Sequence, residues 1–297
     1  MYDTAEKFDS VTMVQPAALI PLSDREYRLI RELVYQKFGI NLTEKKRSLV
    51  TGRLSRIVTS SGFTNFEDYY DFVVSDKTGD AIRILVDRIS TNHTFFYRES
   101  DHFEYLYRTV LPEYARKAKM GRGPKVLRIW CSASSSGEEP YTLAMILHEY
   151  FKDELSAWDI GVLATDISTD ILNVARNGVY QDENVAKLPT AYRNKYFDRL
   201  TDGSWAIKSS IKEVVLFRRL NLIQRSYPFK GRFQIIFSRN VMIYFDERTR
   251  KALVRRYHRY LEPQGYLFIG HSESLGRNNG LYRYVKPAVY RKEPIVG

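Results

Sequence analysis

After residue 120 the chain alternates strongly apolar runs with amphipathic stretches, and this alternation constrains the fold more than any other feature. "KVLRIWCSA" reads as a strand and "EEPYTLAMILHEYF" as a helix, with Pro140 tolerated in its first turn. "WDIGVLATD" is a second strand, and "TDILNVARNG" a helix ending at Gly178. "FQIIFSRN", "DERTRKALVRRYHRYL" and "GYLFIGHSE" continue as strand, helix and strand. Strands alternating with helices imply an α/β fold: a doubly wound, mostly parallel sheet with helices on both faces. Within it, "YFDRLTDGSWAIKSSIKEVVLFRRLNL" sets Asp202-Gly203, a turn signal, between β-prone residues. It predicts a small antiparallel β insertion at about residues 195–220.

The first ninety residues follow another pattern. Residues 1–20 show no periodicity and are expected to form a loose arm. In "PLSDREYRLIRELVYQKFGI", Ser23 and Glu26 form a capping pair, Tyr27, Ile30, Leu33 and Val34 recur at helical spacing, and Gly39 ends the helix. "NLTEKKRSLVTGRLSRIVTSSGF" opens with Thr43 as an N-cap and ends near Gly62. "NFEDYYDFVVSD" and "AIRILVDRIS" are two shorter helices. Residues 21–90 are therefore expected to be an all-helical domain, and residues 91–297 the sheet domain. No repeat or low-complexity segment interrupts them.

Composition narrows the function classes. The start, "MYDTAEKFDS", lacks an apolar core, and no run is long enough to span a bilayer, so neither a secretory leader nor membrane insertion is expected. The single cysteine, Cys131, fits a reducing cytoplasm. Five His and one Cys show no metal-ligand spacing, so no metal is expected. The net charge is +11, and eight basic residues lie between Arg28 and Ser60 against Glu32 and Glu44. That patch invites an acidic partner. A nucleic-acid partner would want aromatics interleaved with the charges for stacking, and "KKRSLVTGRLSRIV" has none.

In doubly wound sheets, ligands bind at the carboxyl ends of the strands. The first strand runs into "CSASSSGEEPY", whose small residues let a ligand approach the backbone. Glu138 and Glu139 favour a cationic group there over a phosphate, although Ser followed by Glu is equally a capping pattern. Asp166 ends the second strand, where an acidic residue can hold ribose hydroxyls or cap the next helix. Asn221 and Leu222 follow a strand-like run, and Asn240 and Tyr244 follow the third strand. Taken singly, the last two are ordinary choices for a cap and a core ring. No G-x-G-x-x-G is present, which argues against a dinucleotide. A Glu for an amine, an Asp for a ribose and no phosphate cradle together suggest S-adenosylmethionine.

"STNHTFFYRE", "SSSGEEPYTLAM", "ATDISTDIL", "LNL", "FSRNVMIYFD" and "GYLFIGHSES" occur in this order. In order and spacing they resemble the chemotaxis receptor methyltransferases, the CheR family, over residues 22–292. The resemblance implies methylation of glutamate side chains on methyl-accepting chemotaxis receptors, with S-adenosylmethionine giving S-adenosylhomocysteine. It also implies that Asn92, Thr94 and Arg98 reach the cofactor site, that Glu139, or else Glu138, takes the amino group, and that Asp166 takes the ribose. Asn221 and Leu222 would flank the adenine, and Arg239 and Asn240 would close the other wall. Arg98 is expected to orient the acceptor carboxylate, with Tyr244 near the methyl group. Lys45, Arg53 and Arg56 would form a stripe that docks on an acidic receptor bundle, and a monomer is the default expectation. From another functional class, the rival is a non-catalytic module that senses the cofactor or its product.

Overall fold

The computed structural model describes residues 20–276 and 279–293, so the arm expected at residues 1–20 lies outside them except for Ile20. Four helices come first: α1 (Asp24–Phe38), α2 (Arg47–Ser60), α3 (Phe66–Ser75) and α4 (Asp80–Ile89). Ser23 and Glu26 close a reciprocal capping box on α1, and Gly39 ends it with φ +70°. Thr43 makes no side-chain cap; Glu44–Lys46 form one 3₁₀ turn and α2 starts only at Arg47. Tyr27, Ile30, Val34, Val50, Leu54, Val58, Phe66 and Leu85 pack these helices around a core of their own. Two helices follow, α5 (Ser100–Tyr105) and α6 (Leu111–Lys119), joined by a π turn at Leu106–Val110.

The sheet domain begins with β1 (Val126–Cys131), α7 (Glu138–Phe151), β2 (Asp159–Asp166) and α8 (Thr169–Asn177). The insertion comes next: β3 (Val179–Tyr180), α9 (Asp182–Val185), α10 (Thr190–Tyr196), β4 (Phe197–Arg199), β5 (Trp205–Ile207) and α11 (Ser209–Lys212). The chain then returns through β6 (Val215–Arg219), β7 (Phe233–Ser238), α12 (Glu247–Tyr260) and β8 (Leu261–Ile269). It closes with the antiparallel strands β9 (Tyr282–Lys286) and β10 (Val289–Lys292).

Among the described residues the main sheet has the order β6-β2-β1-β7-β8-β10-β9, parallel from β6 to β8 and antiparallel at β10 and β9. The small sheet β3-β5-β4 is antiparallel, as the Asp202-Gly203 turn suggests. Its bounds differ from those expected. The insertion starts at Val179, and Val215–Arg219 is no part of it but the parallel edge strand beside β2. One side chain of β1, Trp130, is fully buried under Tyr227, Phe229, Phe233 and Tyr257 and donates its indole N–H to Thr165 at 2.9 Å. The other sheet face packs on α7 and on the segment from Phe96 to Leu111.

Candidate cofactor site

A cleft opens where the strand order reverses, between β1 and β7, at the carboxyl ends of the strands. It is open to solvent at its mouth and holds about 1210 Å³ of atom-free space with that mouth included. Its floor is the loops after β1, β2, β6 and β7. Its roof is the helical domain, through Phe38, Leu42, Lys46, Leu49 and Ile89.

The β1 loop turns at Gly137, with φ +101°, where an added Cβ would lie 2.9 Å from the Tyr180 hydroxyl. α7 therefore begins without a side-chain cap, and the Ser-Glu pattern is not its capping device. Its two glutamates part. Glu138 is buried away from the cleft and accepts from Ser136 Oγ at 2.6 Å. Glu139 lines the cleft, takes the Cys131 thiol at 3.0 Å and faces the Arg239 guanidinium at 3.0 Å. Burial raises the Glu139 carboxyl, and Arg239 opposes that rise.

Asp166 also lines the cleft. Its carboxylate accepts backbone N–H groups from Ser135 at 2.9 Å and Ser168 at 3.1 Å. Burial raises this carboxyl too, against those N–H groups. Ser168, not Asp166, caps α8, accepting from Ile171 N. Beyond β6, Asn221 and buried Leu222 line the cleft, and the Asn221 amide donates to the Lys37 carbonyl at 2.8 Å.

After β7, Arg239 is buried against Glu139 and Glu99, and Asn240 takes a left-handed φ of +56°. Glu273 shapes this turn, accepting from the N–H groups of Gly270 (2.6 Å), Met242 (2.7 Å) and Asn240 (3.0 Å). Asn240 caps no helix; that task for α12 falls to Asp246. Tyr244 is half-buried at the cleft with the Lys46 ammonium 5.1 Å from its ring centre.

The polar and aromatic stretch at residues 90–100 runs over the cleft. Phe96 is fully buried edge-on to Tyr180 (4.9 Å) and Phe197 (5.5 Å), and Tyr97 packs on Phe103 (5.4 Å) and Tyr192 (5.6 Å). These rings fix the segment while Asn92, Thr94 and Arg98 line the cavity. Arg98 donates to the His93 carbonyl at 2.7 Å, and Ser135 Oγ to the Asn92 carbonyl at 2.8 Å. The structure thus brings Asn92, Thr94, Arg98, Glu139, Asp166, Asn221, Leu222, Arg239, Asn240 and Tyr244 to one cleft and leaves Glu138 out.

The basic trio is not assembled as a stripe. Lys45 and Arg56 are exposed, but Arg53 turns inward and donates to the carbonyls of Ile89 (2.7 Å) and Ser90 (2.9 Å) and to Thr91 Oγ1 (3.2 Å). The physical reason is the end of α4, whose last carbonyls lack partners within their own helix. Lys46 lines the cleft, and Glu99 and Glu273 brace its wall through Asn240; "GHSES" holds Glu273, but nothing in its spacing says that it braces Asn240.

The donor set fits S-adenosylmethionine. Asp166 at the end of β2 suits a ribose and Glu139 in the first turn of α7 an ammonium, Ile167 and Leu222 offer apolar surface to a base, and no phosphate cradle is built among the described residues of the cleft. Comparison with known proteins agrees. Residues 92–290 match the family described as "CheR methyltransferase, SAM binding domain", and residues 25–90 match "CheR methyltransferase, all-alpha domain". The chemotaxis protein methyltransferase of Borreliella burgdorferi is 43% identical over 269 residues, covering 91% of this chain and 94% of that one. That of Escherichia coli K12 is 36% identical over 265 residues, 88% of each chain. A probable chemotaxis protein methyltransferase of Rhizobium etli is 36% identical over 272 residues, 88% of this chain and all of the other. With both domains matched and the cleft between them built for the cofactor, the chain belongs to the CheR family of S-adenosylmethionine-dependent methyltransferases.

Proposed function

We propose that the protein methylates glutamate side-chain carboxylates of methyl-accepting chemotaxis receptors, leaving glutamyl methyl esters and S-adenosylhomocysteine. The observation that carries this reading is the division of charge in one cleft. Asp166 is a buried carboxylate and Glu139, with its side chain 14% exposed, a largely buried one, and the cationic Arg98 and Lys46 line the same cleft half-exposed. The first pair suits a cationic nucleoside, and the second an incoming carboxylate.

When bound, the cofactor supplies a methyl group on a positively charged sulfur. Glu139 receives the ammonium and Asp166 the ribose hydroxyls. Leu222 and Asn221 flank the base, while Asn92, Thr94, Arg239 and Asn240 complete the wall. A glutamate has its ordinary pKa well below neutral and is ionised at neutral pH. The protein therefore has no proton to remove and acts by alignment. Arg98 orients the carboxylate through its planar fork, and Tyr244 borders the path of attack. Lys45 and Arg56, both exposed on the helical domain, make the first electrostatic contact with an acidic receptor face. The sole cysteine, Cys131, is a buried free thiol, which suits a reaction in the reducing cytoplasm.

The test is methyl transfer to receptor-containing membranes by the wild type, Arg98→Ala and Arg98→Lys. Turnover should fall at least about a hundredfold in Arg98→Ala, with only partial return in Arg98→Lys, since lysine lacks the fork. Near-normal turnover in Arg98→Ala would remove Arg98 from the mechanism.

A further inference from the structure

Glu99 is the hub of a largely buried charge cluster behind the wall of the cleft that Arg239 and Asn240 form. Its carboxylate meets Arg239 at 3.2 Å and accepts from the Asn240 amide at 3.3 Å and the His271 backbone N–H at 3.2 Å. Glu139 holds the same guanidinium at 3.0 Å. Arg239 also donates through Nη2 to the Arg98 carbonyl and lies 5.2 Å from the Phe103 ring centre, while its Nε and Nη1 make no hydrogen bond.

The charges add simply. Glu99 and Glu139 each carry −1 and Arg239 carries +1, leaving −1 over the three. With Glu99 absent, Arg239 and Glu139 would cancel. Around the buried Arg239 guanidinium one unit of charge is felt more strongly than in bulk water, because water screens it less. Glu99, His102 and His271 also place three metal-type donor atoms within 4.8 Å of one another. A cation there would have to displace Arg239 from Glu99. Burial, with Arg239 beside it, pushes the fully buried His102 down to about 4, so its ring is neutral near physiological pH and adds no charge. The cluster is organised around an anion.

We propose that Glu99 is a positioning residue that shares Arg239 with Glu139, so that Arg239 does not cancel the Glu139 charge, and thereby favours the ammonium of the amino-acid half of the cofactor. The proposal rests on the reading that Glu139 receives the ammonium. It assigns Glu99 a role in ligand discrimination without contact to the reacting atoms.

Three ligands separate this role from a merely structural one. S-adenosylmethionine and S-adenosylhomocysteine carry the amino-acid half, and 5′-methylthioadenosine lacks it. Calorimetric titration of the full chain should show Glu99→Gln binding the first two about tenfold more weakly, with 5′-methylthioadenosine unchanged. Glu99→Asp, which restores the charge, should recover most of the loss. Equal weakening of all three ligands would overturn the proposal, because Glu99 would then merely shape the wall through Asn240. Glu139→Gln is the control. If it weakens S-adenosylmethionine while Glu99→Gln does not, charge sharing fails alone. If Glu139→Gln leaves S-adenosylmethionine binding intact, the ammonium assignment itself fails.

Discussion

The side-chain amide of Asn221 donates to the main-chain carbonyl of Lys37 at 2.8 Å, tying the cofactor wall to the last turn of α1. Two residues further on, Gly39 lies so close to this wall that an added Cβ would stand 2.5 Å from Ile223 Cγ2. Asn41 N donates to the Tyr244 carbonyl at 2.8 Å on the opposite wall. The helical domain therefore grips both sides of the cleft through its backbone. Asn221→Ala leaves the Lys37 carbonyl to water, at a cost of about 0.5–1 kcal/mol. S-adenosylmethionine should bind several-fold more weakly, and hydrogen exchange should rise in residues 37–42. Unchanged exchange there would show that Asn221 serves the cofactor only.

Arg53 and Arg56 differ by three positions and should differ in kind. Arg53→Ala frees the terminal carbonyls of α4 and should lower stability by about 1–3 kcal/mol, read as a lower melting temperature. Arg56→Ala should leave melting unchanged, since the side chain is exposed. It should instead slow receptor methylation at low salt, with the difference shrinking as salt is added. Equal melting temperatures for the two variants would contradict the inward placement of Arg53.

Gly270 is required by proximity, not by backbone twist. A Cβ there would lie 2.8 Å from Asn240 N, 2.5 Å from its side-chain amide and 3.0 Å from Glu273 Oε2. Gly270→Ala should push Asn240 off the Glu273 carboxylate and weaken cofactor binding at least about tenfold, while the far-UV spectrum stays native. Wild-type affinity in this variant would mean that Asn240 does not contribute to the cofactor wall.

Acidification should release cofactor before it unfolds the protein. Burial raises Glu139 above its ordinary 4.5 and Asp166 above its ordinary 3.8. Both must be ionised to receive donors. Affinity is therefore full at neutral pH and falls as pH drops through these raised values, starting above 4.5 for Glu139. Their protonation removes a burial cost and does not weaken the fold. Glu99 has the opposite sign. Burial acts to raise it, but Arg239, Asn240 and the two histidines hold it below 4.5. Its contribution to stability is present above the ordinary value and is lost only as pH falls through the lowered one. Calorimetry and thermal melting along one acid series check the order; simultaneous loss would contradict it.

The sheet and its ligand-facing ends were legible because each depends on a local pattern. β1, β2, β7 and β8 are apolar runs that end in polar residues, and in a doubly wound sheet those ends must face one crevice. The edge strand β6 was absorbed into the insertion because its Val215–Arg219 run is as β-prone as its neighbours, and only pairing with β2 distinguishes it. The C-terminal pair β9 and β10 and the helical segment Ser100–Lys119 carry no such local pattern; in the latter a π turn interrupts the helical period. Glu99 was invisible for a different reason. It lies at a left-handed turn with φ +56°, and its partners Arg239 and Asn240 are some 140 positions away. Arg53 shows the converse limit: helical spacing predicts a stripe but not which member finds carbonyls to cap.

The measurement that bears most directly on the account is the chemistry of the transferred methyl group. Chemoreceptor membranes should be incubated with methyl-labelled S-adenosylmethionine and the protein, and the washed label then exposed to mild base. Release of the label as volatile methanol is the predicted result, since a carboxyl methyl ester hydrolyses under these conditions. Label that withstands base would place the methyl group on nitrogen or an ether oxygen and contradict glutamate methylation.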